Sequence, residues 1–222
     1  MTQFDKDNYM VIKKALEPDI AKFLFNYFML KRQVTRTFID TKYISPFNFD
    51  FGNFGDIQVP NSFSVYSDIA METLLLKTQS IMEEQTGLNL VPTYSYARVY
   101  ENGDTLHRHK DRYSCEISTT MNIGGDSWPI FVEPDVEKGK ENNDGTYNPG
   151  NTSGIKVVLE PGDMLVYRGH DCEHWREPFE GQDCVQVFLH YNNADMIGAQ
   201  ENIYDKRPHL GLPQYFKGLK ID

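Results

Sequence analysis

The chain has only three cysteines, Cys115, Cys172 and Cys184, an odd number with no C-x-x-C spacing among them. No disulfide framework is expected, and a reducing, cytoplasmic compartment suits the chain best. One pairing, Cys115 with Cys172, stays open because both lie near the candidate site described below. Long apolar runs are also missing: no stretch approaches the ~18–20 residues of a membrane span. The opening MTQFDKDNYM lacks the basic start and apolar run of a signal peptide. A soluble protein without a membrane partner is expected. Positive charge is scarce as well. The net charge of -10 leaves nothing to offset repulsion from phosphates, so bulk nucleic-acid and anionic-membrane binding are excluded. No Pro/Ser-rich linker divides the sequence.

What is there suits one packed domain spanning residues 1–222. Its 222 residues, 40% hydrophobic and 13% aromatic, suffice for a well-buried core. Tyr9–Ile12 is a short β-prone run. Glu17-Pro18-Asp19 then starts a helix, with proline where its missing N–H costs nothing. Ile20, Phe23, Leu24, Tyr27 and Phe28 recur at helical spacing and are expected to face the core. A second helix runs from a Ser67 or Asp68 cap to Gln85 and stops at Gly87, with Met71, Leu74, Leu75 and Met82 as its buried stripe. From Leu88 the pattern changes to short strands: Tyr94–Tyr100, Glu116–Ile123, Trp128–Val132, Lys156–Leu159, Met164–Tyr167 and Cys184–Tyr191. Residues 1–90 thus form a helical support region and 91–193 a sandwich or jelly-roll core. The tail, 194–222, holds Tyr204, Leu210, Leu212, Tyr215 and Phe216, enough apolar surface to dock on the domain or on a second subunit.

Two segments carry no period. Residues 44–66, ISPFNFDFGNFGDIQVPNSFSVY, alternate phenylalanine with Asn, Asp and Gly and are expected to form an ordered loop. It either covers the open end of the core, the favoured reading, or walls a substrate cleft. The stretch from Pro134 to Gly154 is rich in Gly, Asn and charge and too long for an ordinary hairpin. It is equally a lid that orders on substrate or a tolerated surface insertion.

The chemistry concentrates in Gly103–Cys115, GDTLHRHKDRYSC. A histidine nitrogen and a carboxylate oxygen two residues apart on an extended backbone point to one side, so His109 and Asp111 can reach one divalent ion. A third ligand, His174, lies in GDMLVYRGHDCEHWREPF. Two histidines and one carboxylate make the facial triad of a non-heme Fe(II) oxygenase, with three positions left open. His107, in an H-x-H arrangement with His109, and His170, four residues before His174, compete as ligands. An extra histidine near a metal is more often a neighbour than a ligand, and His174 is preferred.

Tyr100 and Gly103 precede His109, and a Pro161-Gly162-Asp163 turn opens the apolar run Met164–Tyr167 that leads to His174. In these features, over Tyr94 to Tyr191, the chain resembles the prolyl 4-hydroxylase-like branch of the 2-oxoglutarate/Fe(II) dioxygenases. The resemblance implies a double-stranded β-helix (jelly-roll) core supported by the N-terminal helices. It also implies Fe(II) and O2, 2-oxoglutarate as co-substrate, and ascorbate as an accessory reductant. The reaction implied is decarboxylation of 2-oxoglutarate to succinate coupled to hydroxylation of an unactivated C–H bond. The substrate would be a prolyl residue of a peptide or protein, or a small molecule. Asp111 favours hydroxylation, because halogenating members replace this carboxylate with a small residue.

One departure concerns the far carboxylate of 2-oxoglutarate. Prolyl 4-hydroxylases hold it with a lysine about ten residues past the distal histidine, but here the region reads Gln182-Asp183-Cys184-Val185-Gln186. Arg176, two residues after His174, is the first substitute, since its planar fork binds a carboxylate bidentately. Arg168 and Arg98 are alternatives, while Tyr100, Gln186 and His190 can add hydrogen bonds. Two other classes stay open. A cupin-like isomerase or dioxygenase would use His107, His109 and His174 without 2-oxoglutarate. A non-enzymatic jelly-roll would carry H-x-D by chance and tolerate Asp111→Ala.

Overall fold

The computed structural model describes residues 2–142 and 146–216. Thr2 caps the short helix α1 (Gln3–Asp7), which leads into β1 (Tyr9–Ile12). Helix α2 (Pro18–Asp40) carries proline in its first turn, as the sequence predicts. Its buried positions are Ala21, Leu24, Phe28 and Thr35, whereas Ile20 and Phe23 are 48% and 67% exposed. The apolar face is therefore rotated from the expected one. Ala21, Leu24 and Phe28 keep the i, i+3, i+7 spacing of a stripe, and Ile20 and Phe23 fall outside it.

Strands β2 (Asn53–Phe54) and β3 (Phe63–Tyr66) follow, so the segment read as one loop, 44–66, ends in sheet. Helix α3 (Ile69–Thr86) begins where Asp68 accepts hydrogen bonds from the Ala70 and Met71 amides. It ends at Gly87, left-handed at φ 75°. Met71, Leu74, Leu75 and Met82 are all buried, each contributing about 1.5–3 kcal/mol of apolar burial.

The remaining strands are β4 (Leu90–Glu101), β5 (Leu106–His109), β6 (Ile117–Gly125), β7 (Ile130–Glu133), β8 (Lys140–Glu141), β9 (Tyr147–Asn148), β10 (Ile155–Val157), β11 (Met164–Tyr167), β12 (Glu173–Arg176) and β13 (Asp183–Asn193). The larger sheet runs β1-β11-β6-β13-β4-β3-β2 and the smaller β10-β7-β12-β5, while β8 and β9 pair separately. All pairings are antiparallel. This is the double-stranded β-helix, with α2 and α3 on the outer face of the larger sheet.

Period-two alternation sorts the side chains of the larger sheet. Val185, Val187 and Leu189 of β13, with Met121 and Ile123 of β6, join the helices in the main core. Their neighbours Gln186 and His190, with Ser118 and Thr120, face inward between the sheets and bond one another there. The space that houses the candidate site is thus polar on one wall while the outer face of the same strands is apolar.

The tail docks on its own domain. Buried Arg207 donates to Glu72 Oε1 at 2.7 Å and to the Thr93 carbonyl at 3.1 Å. Asp205 accepts two 2.7 Å bonds from the Arg112 guanidinium and one from the Tyr66 hydroxyl. Residues 217–222 of the tail and 143–145 of the Gly/Asn-rich stretch lie outside the described residues. All three cysteines are buried free thiols, so Cys115 and Cys172 are not bonded to each other.

Candidate metal and co-substrate site

His109 ends β5 and pairs across the ladder with His174 of β12, which brings their rings to centroids 4.2 Å apart, tilted by 55°. Asp111 follows His109 just past the strand end, where its amide donates to the Gly169 carbonyl at 2.8 Å. Its Oδ1 lies 3.5 Å from Nε2 of both histidines. One ligand atom from each of the three lies within 4.8 Å of the others, a spacing that fits a single divalent ion.

Each ligand is oriented by a second contact. His109 Nδ1 lies 2.7 Å from the His107 carbonyl and His174 Nδ1 lies 3.1 Å from the Cys172 carbonyl. A carbonyl only accepts, so both Nδ1 atoms carry the proton and both Nε2 lone pairs face Asp111. Asp111 Oδ2 accepts from the Ser118 hydroxyl at 2.9 Å. Burial alone would raise the Asp111 carboxyl, but His174 and His109 outweigh it and hold it well below the usual carboxylate range. His109 is pushed down by burial and by His174, which keeps it a neutral ligand. Gly169 is required here: a Cβ would stand 2.5 Å from both Asp111 Oδ2 and Ser118 Oγ.

The competing histidines face elsewhere. His174 pairs with His109 but Arg176 pairs with Leu106, so β5 carries one extra residue, a bulge that returns both Leu106 and His109 to the inside. His107 is exposed, and the cupin-like ligand set loses a member. His170 is also exposed and donates from Nδ1 to the Asp111 carbonyl at 3.0 Å.

Arg176 is the next inward residue after His174 on β12. Only 1% exposed, it donates to the Trp128 carbonyl, to Gln186 Oε1 at 3.2 Å and to Thr120 Oγ1 at 3.4 Å. Among the described residues no carboxylate pairs with it, and its Nε is buried without a partner. The hydroxyl of Tyr100, fully buried against Trp128, is likewise unpartnered. Burial lowers the Arg176 pKa. Arg98 is already paired with Asp56 at 2.8 Å. Arg168, expected near the co-substrate, lies outside this space: one residue past the inward Tyr167, it turns outward to stack on Phe4 and donate to Asn8.

A cavity of about 1580 Å³ opens above the ligands. Its inner wall includes Tyr94, Tyr167 and His190, and its mouth Phe47, Phe49, Ile57, Tyr215 and Phe216. The segment 44–66 therefore walls the cleft, the less favoured of its two readings. Asp56 latches it down, accepting from Arg98 and, at 2.5 Å, from the Tyr96 hydroxyl. Gln58 reaches His109 Nε2 at 2.8 Å. No sequence period marks Asp56 or Gln58, whereas the one available signal for Ser118 and Thr120 is their alternation with Ile117 and Met121 in the strand. None of the described residues of 134–154 lines the cavity. That stretch is pinned behind the smaller sheet, where Glu173 accepts from the Tyr147 hydroxyl at 2.7 Å and the Gly150 amide at 3.0 Å.

No family model matches the chain, and no curated protein sequence matches it. Solved structures do. HygX from Streptomyces hygroscopicus, with nickel and 2-oxoglutarate bound, is 11% identical with a TM-score of 0.58, covering 87% of this chain and 85% of that one. The non-heme alpha ketoglutarate dependent epimerase SnoN from nogalamycin biosynthesis is 12% identical at TM-score 0.59, covering 86% and 79%. A Pseudomonas putida prolyl-4-hydroxylase is 13% identical at TM-score 0.52, covering 86% and 95%. The chain has the fold of the 2-oxoglutarate- and iron-dependent oxygenases.

Proposed function

We propose that this chain is a 2-oxoglutarate- and Fe(II)-dependent dioxygenase that hydroxylates an unactivated C–H bond. The observation that carries the reading is the His109, Asp111 and His174 cluster facing the cavity, with a buried arginine without an acid partner two residues past His174 on the same strand. The first fits a divalent ion, and the second fits an anion. His109, Asp111 and His174 would hold the metal. Arg176 would take the far carboxylate of 2-oxoglutarate, with Tyr100, Gln186 and Thr120 as its hydrogen-bonding neighbours. When bound, Fe(II) and 2-oxoglutarate supply O2 activation coupled to decarboxylation to succinate.

The chain's own residues do the rest. Carbonyls behind both histidines fix their tautomers, and Ser118 fixes Asp111. The substrate is a peptide or small molecule. A prolyl residue is the reading that the sequence resemblance carries, while the breadth of the cavity favours a bulkier ring-bearing molecule. The exposure of His107 weighs against the cupin-like ligand set.

The test is succinate formation from 2-oxoglutarate by protein loaded anaerobically with Fe(II) and then exposed to O2, beside Asp111→Ala. Turnover in the parent that disappears in the variant supports the reading. Absence of turnover together with absence of calorimetric 2-oxoglutarate binding to metal-loaded protein would sink it.

A further inference from the structure

His190, on β13 between Leu189 and Tyr191 of the main core, turns its ring into the cavity, 4.5 Å from Tyr94. Its Nδ1 lies 3.0 Å from Ser118 Oγ. That oxygen also lies 2.9 Å from Asp111 Oδ2 and 2.9 Å from the Cys115 carbonyl. Both of these partners only accept, so the single Ser118 proton goes to one of them. The contact with His190 is then a donation from Nδ1–H, because a serine proton turned to His190 would leave Ser118 Oγ facing two bare oxygens. With Nδ1 protonated in a neutral ring, Nε2 is a bare lone pair. Burial keeps the ring neutral, with its pKa pushed down to about 4.

No described residue hydrogen-bonds that Nε2. The polar groups around the ring are engaged: Tyr94 with Cys115 Sγ, Arg112 with Asp205, and Asp111 with Ser118. We propose that His190 is a substrate-orienting residue whose fixed Nε2 acceptor selects substrates carrying a hydroxyl or N–H donor near the reacting carbon. The metal cluster and this acceptor share one scaffold, since the same serine holds both Asp111 and His190. A substrate donor docked on Nε2 is therefore placed in register with the metal-binding carboxylate, and an aprotic analogue leaves a buried acceptor unpaired. The catalytic meaning of this contact rests on the oxygenase reading, but the tautomer and the open acceptor do not.

The test uses Zn(II)-loaded, ¹⁵N-histidine-labelled protein and a matched pair of ring probes, cyclohexanol and methoxycyclohexane. Nitrogen NMR is expected to find His190 neutral with the proton on Nδ1 at pH 7. Cyclohexanol should shift the Nε2 resonance and bind roughly five- to tenfold tighter than its methyl ether. His190→Gln, which keeps an acceptor, should retain the preference, and His190→Phe, which keeps the stacked ring, should lose it. Ser118→Ala, with His190 intact, should mix the two tautomers. A proton on Nε2, an imidazolium at pH 7, or an Nε2 resonance that neither probe moves would overturn the proposal. Calorimetric binding of 2-oxoglutarate to the same zinc-loaded sample separates these outcomes from failure of the oxygenase reading.

Discussion

Arg176 on β12 donates to Gln186 Oε1 on β13 across the interior, at 3.2 Å, and among the described residues no carboxylate reaches that guanidinium. Gln186 and Arg176 stand on facing strands, β13 of the larger sheet and β12 of the smaller. A buried cation without an acid partner costs stability, because its desolvation is not repaid by an opposite charge.

Arg176→Met should therefore have opposite effects on stability and binding. The metal-loaded variant should lose roughly 10- to 100-fold in 2-oxoglutarate affinity, the scale of a lost charge-assisted pair. Its ligand-free form should gain about 1–3 kcal/mol, because a desolvated charge is replaced by an apolar side chain of similar length. Calorimetry and urea unfolding on one preparation check both signs. A destabilised variant with unchanged 2-oxoglutarate affinity would make Arg176 a structural residue.

Acid should weaken the metal-free protein before its carboxylates titrate. His190 has an ordinary pKa of 6.5 and a folded value of about 4, because burial penalises the charged ring. Its folded pKa is depressed, so its contribution is fully present above 6.5 and is lost as pH falls through 6.5 toward about 4. The loss reaches about 3 kcal/mol. His109, also depressed by burial, adds to the same window. Urea midpoints measured from pH 7 to 4 should fall steeply for the parent and more gently for His190→Gln. Parallel curves would show that the ring is not shielded as the structure has it.

The metal cluster was legible because its signal is chemical: three ligands of two residue types at defined places survive any error in strand limits. Arg176 was legible by parity, since it shares the face of His174, and parity alone could have removed Arg168, one residue beyond the inward Tyr167. The bulge in β5 was not legible. Nothing in the residue types of Leu106–His109 tells that Leu106 and His109, rather than His107 and His109, share the inner face; only pairing with β12 decides it. The role of Asp56 escaped for another reason, because its partners Tyr96 and Arg98 lie far along the chain and an aperiodic loop predicts no neighbours.

Asp56→Asn should loosen the wall of the cleft. The Arg98–Asp56 pair is 7% and 12% exposed at its side chains, so removing the carboxylate charge leaves a nearly buried guanidinium unmatched. A cost of about 3 kcal/mol is expected. Limited proteolysis should cut the 44–58 stretch of the variant at denaturant concentrations where the parent resists. Equal resistance would mean that the aromatic wall is held by packing alone.

The tail should prove integral to the fold through one ion pair. Arg207 and Glu72 are 1% and 2% exposed, and the same carboxylate also accepts from the Gly211 amide. Arg207→Ala strands Glu72, on the first turn of α3, as an uncompensated buried charge and should cost about 3–5 kcal/mol. Arg207→Ala combined with Glu72→Gln should recover part of that loss, because the stranded charge, rather than the missing contact, dominates the single variant. Thermal unfolding of the two variants and the parent checks the order. A double variant no more stable than the single one would locate the tail's contribution in its other contacts, chiefly Asp205 with Arg112 and Tyr66.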